Sequence, residues 1–219
     1  MLLGLTMLFN ALAAEPAGAH EQAQPSNVQL AFHAGLLQPI LTDGFNAAVD
    51  LRFDRVILSY SHGEGLDLSG VPGILPADQR DLGVTVEMPW TTGGGVGWRI
   101  VDELYVMADV KVHGFEVDAG LDVSSYTTVT VGGEVGYRLF LWEGFYISPV
   151  IRYWPTVWSS APDGFRIQTD AGTFQHDPLP QGVNGVFANV LVGWSFDVRG
   201  KRRTYTVIDD ERGDQTGRR

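Results

Sequence analysis

Cysteine is missing from all 219 residues. Its absence excludes disulfides, a lipid-modified cysteine and thiolate metal sites, and it suits a periplasmic route on which a free thiol would be oxidised. Charge is sparse as well. Asp, Glu, Lys and Arg make up 19% of the chain, and the balance is −11. Nucleic acid is not expected as a partner, because binding a polyanion needs a concentrated basic face. The one dense basic run, Lys201-Arg202-Arg203, shares its stretch with Asp209, Asp210 and Glu211. Long helix-periodic stretches are lacking, and past the N-terminus no segment approaches the roughly 18 uninterrupted apolar residues of a membrane-spanning helix. If this chain crosses a membrane, it crosses with strands.

The N-terminus reads as an export signal. Met1 to Ala14 is an apolar run followed by small residues, with cleavage expected after Ala13 or Ala19. The expected organisation is a signal peptide over 1–19, a short segment over 20–27, a single β-domain over 28–198 and a polar tail over 199–219.

Alternation with period 2 fills the β-domain. Val28, Leu30, Phe32, Ala34 and Leu36 share one face of the first candidate strand; Gln29, Ala31, His33 and Gly35 share the other. Phe45, Ala47, Val49, Leu51 and Phe53 oppose Asn46, Ala48, Asp50 and Arg52, and Val56, Leu58 and Tyr60 oppose Ile57, Ser59 and Ser61. In the fourth strand Val86, Met88, Trp90, Val96 and Trp98 are expected opposite Glu87, Thr91, Gly93, Gly95, Gly97 and Arg99. In the fifth, Leu104 to Val112 oppose Tyr105 to His113. The sixth sets Val129, Val131, Val135, Tyr137, Leu139 and Leu141 against Thr128, Thr130, Glu134, Gly136 and Arg138. The seventh sets Ile147, Ile151, Tyr153 and Val157 against Tyr146, Ser148, Arg152 and Trp154. The eighth runs from about Val186 to Val198 with both faces apolar in places.

Two features turn an all-β pattern into a membrane barrel. The less apolar face mixes glycine and small hydroxyls with isolated charges of both signs, which suits a narrow lumen rather than a watered surface. The connections also alternate in length. Asp54-Arg55, Val101 to Glu103 and Glu143-Gly144 are tight, whereas Gln38 to Gly44, Gly63 to Arg80, Ala119 to Ser125 and Ser160 to Gly185 are long. Short turns at one end and long loops at the other characterise an outer-membrane barrel. Only a closed sheet satisfies strand edges in hydrocarbon. The expected fold is therefore an all-β, antiparallel up-and-down transmembrane β-barrel of about eight strands. Phe45, Phe53, Trp90, Trp98, Trp142, Trp158 and Trp194 are placed like interfacial girdles.

On this pattern the chain resembles small outer-membrane barrels of the OmpA-transmembrane, OmpX and OmpW type over roughly Val28 to Val198. That resemblance implies residence in the bacterial outer membrane, contact with its lipid and lipopolysaccharide, and a monomer. It departs from the pattern in two places. Gly193-Trp194-Ser195-Phe196 resembles an aromatic assembly signal but is followed by the polar tail, and Pro89, Pro149 and Pro155 each remove a ladder donor. The prolines are expected at bulges or beyond the bilayer.

The candidate site is a set of lumen charges: Asp50, Arg52, Glu87, Arg99, Asp109, Lys111, Glu134, Arg138 and Arg152. Buried charges need partners. A structural plug of ion pairs, which the resemblance implies, and a selective constriction both fit this set. Ser61-His62-Gly63-Glu64 groups a hydroxyl, an imidazole and a carboxylate, but neighbouring strand residues face opposite ways and no histidine is followed two residues on by serine. No catalytic residue, cofactor or metal site is assigned. His33 and His113 are read as lumen hydrogen-bonding groups; Asp163, Asp170, His176 and Asp177 fit ordinary loop polarity and a divalent-cation site near lipopolysaccharide equally well. Gly93-Gly94-Gly95 lacks the ending of a phosphate-binding loop. The expected role is a structural or surface-interaction barrel whose loops face outside and meet an extracellular partner. The alternatives are a narrow channel or carrier for small or hydrophobic solutes and, third, a lipid-modifying enzyme.

Overall fold

The computed structural model describes residues 28–71, 74–170, 172–176 and 186–198. The expected signal peptide, the segment after it, Asp177 and the polar tail lie outside the described residues.

Twelve strands occur among them: β1 Val28–Gly35, β2 Phe45–Phe53, β3 Val56–Asp67, β4 Thr85–Arg99, β5 Leu104–Asp118, β6 Val123–Tyr137, β7 Leu139–Trp142, β8 Phe145–Tyr153, β9 Thr156–Ser159, β10 Phe165–Thr169, β11 Gly172–His176 and β12 Val186–Asp197. Two single-turn helices, α1 (Leu37–Leu41) and α2 (Ala77–Asp81), sit in long loops that the alternation left without structure. β7 continues β6 after a break at Arg138, and β9 continues β8 after Trp154-Pro155, so the wall counts eight strands. Each pairs antiparallel with its sequence neighbour. The sheet closes where β1 pairs with β12, from Gln29↔Asp197 to Gly35↔Leu191. Closure pairs the two strands that would otherwise be edges of the sheet.

Three short turns, at Asp54-Arg55, Ile100 to Glu103 and Glu143-Gly144, share one end with Val28 and Asp197. The longer connections share the other. One expected long loop is in fact tight: β5 and β6 run on to Asp118 and Val123 and join through Ala119 to Asp122, with Gly120 supplying φ 81°. β4, β5 and β6 thus reach 15 residues each, while β1 has only eight. The wall is tall on one side and low on the other.

Proline behaves unevenly. Pro89 lies in a register shift between Glu87 and Trp90, as a residue without an N–H should. Pro155 lies in the break between β8 and β9. Pro149, contrary to expectation, sits in unbroken register opposite Val190 and points outward.

The Pro89 bulge has a consequence for the fourth strand. One extra residue puts the side chains before it on the opposite face from the one that the alternation after it assigns. Val86 and Met88, expected outside, point inward, and Glu87 is exposed. Val86 joins Ile74, Leu75, Val84, Phe115, Val117, Ala119, Tyr126 and Ile167 in an apolar cluster. That cluster forms a dome over the tall side, covered by the 68–84 loop and the β10–β11 hairpin.

Candidate functional site: the polar lumen

Below the dome, every second residue of the wall points into a polar lumen. Asp50, Arg52, Asp109, Lys111, Glu134, Arg138 and Arg152 are all buried there. Arg99 lies at the short-turn mouth, its Nη1 3.8 Å from Asp102 Oδ1. Glu87 does not belong to the set, because the Pro89 bulge turns it out.

Six of the seven buried charges fall into two connected groups. In the first, Asp50 Oδ2 accepts from Arg52 Nη2 at 3.1 Å and from Arg138 Nη2 at 3.2 Å. His33 Nδ1 lies 3.8 Å from the same oxygen and 3.1 Å from the Tyr146 hydroxyl. Arg52 and Arg138 are only 1% and 2% exposed. Two guanidiniums sharing one carboxylate leave an excess of positive charge, which the negative faces of aromatic rings offset in part. Arg138 stacks over Tyr105 at 4.4 Å and Tyr146 at 5.6 Å.

In the second group, Glu134 accepts from Arg152 Nε and from the Tyr105 hydroxyl, the latter at 2.6 Å. Arg152 and Lys111 both lie over the Trp154 ring, at 5.0 and 4.7 Å. Tyr105 joins the two groups: its hydroxyl meets Glu134 while its ring carries Arg138. A third, neutral node lies higher, where His113 Nδ1 is 2.8 Å from Thr91 Oγ1 and Nε2 is 2.9 Å from Thr130 Oγ1.

Glycine makes room for these side chains. Across the strand pairs Gly93 faces Lys111 and Gly95 faces Asp109, while Gly136 faces Tyr105 and Gly193 faces Tyr146. A Cβ at Gly136 would come within 2.4 Å of the Tyr105 ring, and one at Gly193 within 2.5 Å of Tyr146. The glycine-rich face is therefore the negative of the charged and aromatic one. Among these side chains lies a cavity of about 20 Å³, lined by His33, Asn46, Ser61, Asp109, Lys111 and Arg152 among others. That is room for a water molecule.

No protein-family model matches the sequence, and no curated protein does. Solved structures do align. Neisserial surface protein A is 11% identical over 78% of this chain and 95% of its own, with a TM-score of 0.38. Ail, the attachment invasion locus protein of Yersinia pestis, is 10% identical over 78% and 97%, with a TM-score of 0.37. A major outer membrane protein from Thermus thermophilus is 9% identical over 79% and 100%, also at 0.37. The chain is similar to small outer-membrane β-barrels. Its eight-stranded closure is read from its own pairings.

The remaining candidates separate. Ser61 faces the lumen, whereas His62 faces outward and lies 3.0 Å from Glu64 Oε1. The hydroxyl and the imidazole do not meet. His33 and His113 belong to different nodes. Among the described residues no group of three or more His, Asp or Glu side chains is placed to hold a metal. His176 is buried in the dome, with its ring 5.2 Å from Phe165 and its Nδ1 3.4 Å from Gln79 Oε1. Tyr105, Tyr146 and Trp154, which tie the charges together, lie on the lumen faces that alternation assigns, but residue type alone gave them no role. Cation–π pairing across strands would have been the signal.

Proposed function

We propose that this chain is an integral outer-membrane β-barrel that is closed to solutes and acts as a structural or surface-interaction element, with its long loops outside. The observation that carries this reading is an apolar belt around a wall whose inward face carries buried, paired charges and aromatic rings.

The belt is bounded by a reversal of polarity within single strands. Low on β5, Val106, Ala108, Val110 and Val112 face out while Asp109, Lys111 and His113 face in. Two residues higher, Phe115 and Val117 face in while Glu116 and Asp118 face out. β4 reverses between Thr91 and Met88, and β6 between Thr128 and Tyr126. A strand passing from hydrocarbon into water should reverse in this way, since each medium selects the face turned toward it. Leu104 to Val112 is nine residues, which fits the about 9–11 of a tilted transmembrane strand.

Against a pore stand the paired charges and the cavity of about 20 Å³. An eight-stranded wall encloses only enough space for side chains. Against catalysis stands the separation of Ser61 from His62. The deciding measurement is single-channel recording of the refolded barrel in planar bilayers. Silence from protein that is folded by heat-modified gel mobility is expected. Reproducible openings would instead make the chain a narrow channel, with Glu134 and Arg152 as the constriction.

A further inference from the structure

The apolar surface does not stop where β1 stops. The outward row of β1 is Leu30, Phe32 and Ala34, and that of β2 is Phe45, Ala47, Val49, Leu51 and Phe53. Between them runs Leu36-Leu37-Gln38-Pro39-Ile40-Leu41, and no residue of α1 is buried. Ile40 is 71% exposed and Leu41 65%. A contiguous exposed apolar stretch of this kind marks an interaction surface.

Its side chains are sorted by direction. At about 100° per residue, Leu36, Ile40, Leu37 and Leu41 fall within an arc of about 140° that excludes Gln38. Gln38 turns to the wall, where its Oε1 accepts from Asn189 Nδ2 at 3.0 Å. The Leu36 amide donates to Val190 O at 2.9 Å, and Thr42 closes the turn onto Gln38 O. The turn is thus clamped to the rim by its polar side, with its apolar side outward.

Height decides what that side meets. β1 has eight residues and β2 nine, so the low wall reaches no farther than the about 9–11 residues a strand needs to cross. With a tilt of about 45°, eight residues rise about 19 Å against an apolar band about 25 Å tall. α1 therefore sits level with the upper part of the band, whereas the turn carrying Leu121 caps 15-residue strands and stands clear of it.

Building on the membrane reading above, we propose that Leu36–Leu41 is an interfacial anchor lying in the outer leaflet, with Ile40 and Leu41 among lipid chains. A short apolar turn at this depth fixes the rotation and height of the low wall relative to the membrane, so that the tall β4–β6 side and its dome are always the part presented outward.

The absence of cysteine makes the test clean. Ile40→Cys, Val110→Cys and Leu121→Cys are each labelled with an environment-sensitive fluorophore and refolded into phosphatidylcholine vesicles containing brominated lipid. All three residues are exposed, so labelling leaves the packing intact. Quenching at position 40 close to that at 110 is expected, strongest with bromine near the headgroups, while 121 stays unquenched. Position 40 behaving like 121, in water and unquenched, would overturn the anchor. A fluorophore at 40 that is shielded from water yet unquenched by lipid would also overturn it and point to a second copy or another protein. If 110 too is unquenched, the membrane reading itself fails, which separates the two outcomes.

Discussion

The interior of this barrel is two interiors, one above the other, and β4, β5 and β6 run through both. In the lumen, β5 points Asp109, Lys111 and His113 inward; in the dome, it points Phe115 and Val117 inward. The lower region is held by paired charges against glycine, the upper by apolar contact against loops. The difference follows from what lies outside each. On the proposed membrane reading lipid surrounds the lower wall, where an apolar interior would leave the two faces of every strand equivalent and the register poorly specified; a polar interior removes that ambiguity. Where water surrounds the wall, burial of apolar surface stabilises, and the loops over 68–84 and 165–176 supply the cover.

The two regions should fail differently. The largest effect is expected from the lumen: Glu134→Ala leaves Arg152 and the Tyr105 hydroxyl without their acceptor in a buried site. Loss of one partner of such a pair costs about 3–5 kcal/mol. Urea unfolding of the refolded barrel in detergent micelles should show this as a lower midpoint. The pair Glu134→Leu with Arg152→Met should recover most of the loss, because no charge is then orphaned. A single variant as stable as the parent would mean that the lumen holds enough water to solvate Arg152.

Crowding the lumen should cost somewhat less. Gly136→Val drives a side chain into the Tyr105 ring, and overpacking of this kind costs about 1–3 kcal/mol. If unfolding shifts by less than the low end of that range, Tyr105 has another place to go and does not hold Arg138 in a fixed stack.

Dome variants should leave the wall alone. Ile167→Asp puts a carboxylate into the apolar cluster, which loosens the β10–β11 hairpin from the strands beneath. Limited proteolysis should then cut within 161–176 of the folded protein, while the global midpoint stays within about 0.5 kcal/mol of the parent, as for changes outside the cooperative core. A large fall in the global midpoint would show that the two interiors are one folding unit.

The lower region was legible in the sequence and the upper was not. Period 2 assigns Asp50, Arg52, Asp109, Lys111, Glu134, Arg138 and Arg152 to one face because nothing interrupts the alternation there. It cannot pair them, since Asp50 and Arg138 meet across 88 positions of chain. Above the lumen, Pro89 shifts the phase and misplaces Glu87, Val86 and Met88, though the proline itself marked the place. Phe115 and Val117 continue the inward phase of His113, so the extension of β5 was readable. Its cover was not, because the contacts of Ile74 and Ile167 with those strands depend on how two distant loops fold back.

The boundary between the two interiors offers the finest test and the smallest effect. His113 is the last polar residue on the inward face of β5. It is held by Thr91 and Thr130, and its ring lies 6.1 Å from Phe115. If the polarity of this level is set only by the need to satisfy buried groups, replacing the whole node should matter little. Removing one partner from a buried hydrogen bond costs about 1–3 kcal/mol, whereas replacing all partners by apolar groups of the same shape is nearly neutral. His113→Leu alone should therefore destabilise modestly, and the triple variant His113→Leu, Thr91→Val, Thr130→Val should restore the midpoint to within about 0.5 kcal/mol of the parent. A triple variant that stays as unstable as the single one would mean that the hydrogen-bonded node itself fixes where the polar lumen ends and the dome begins.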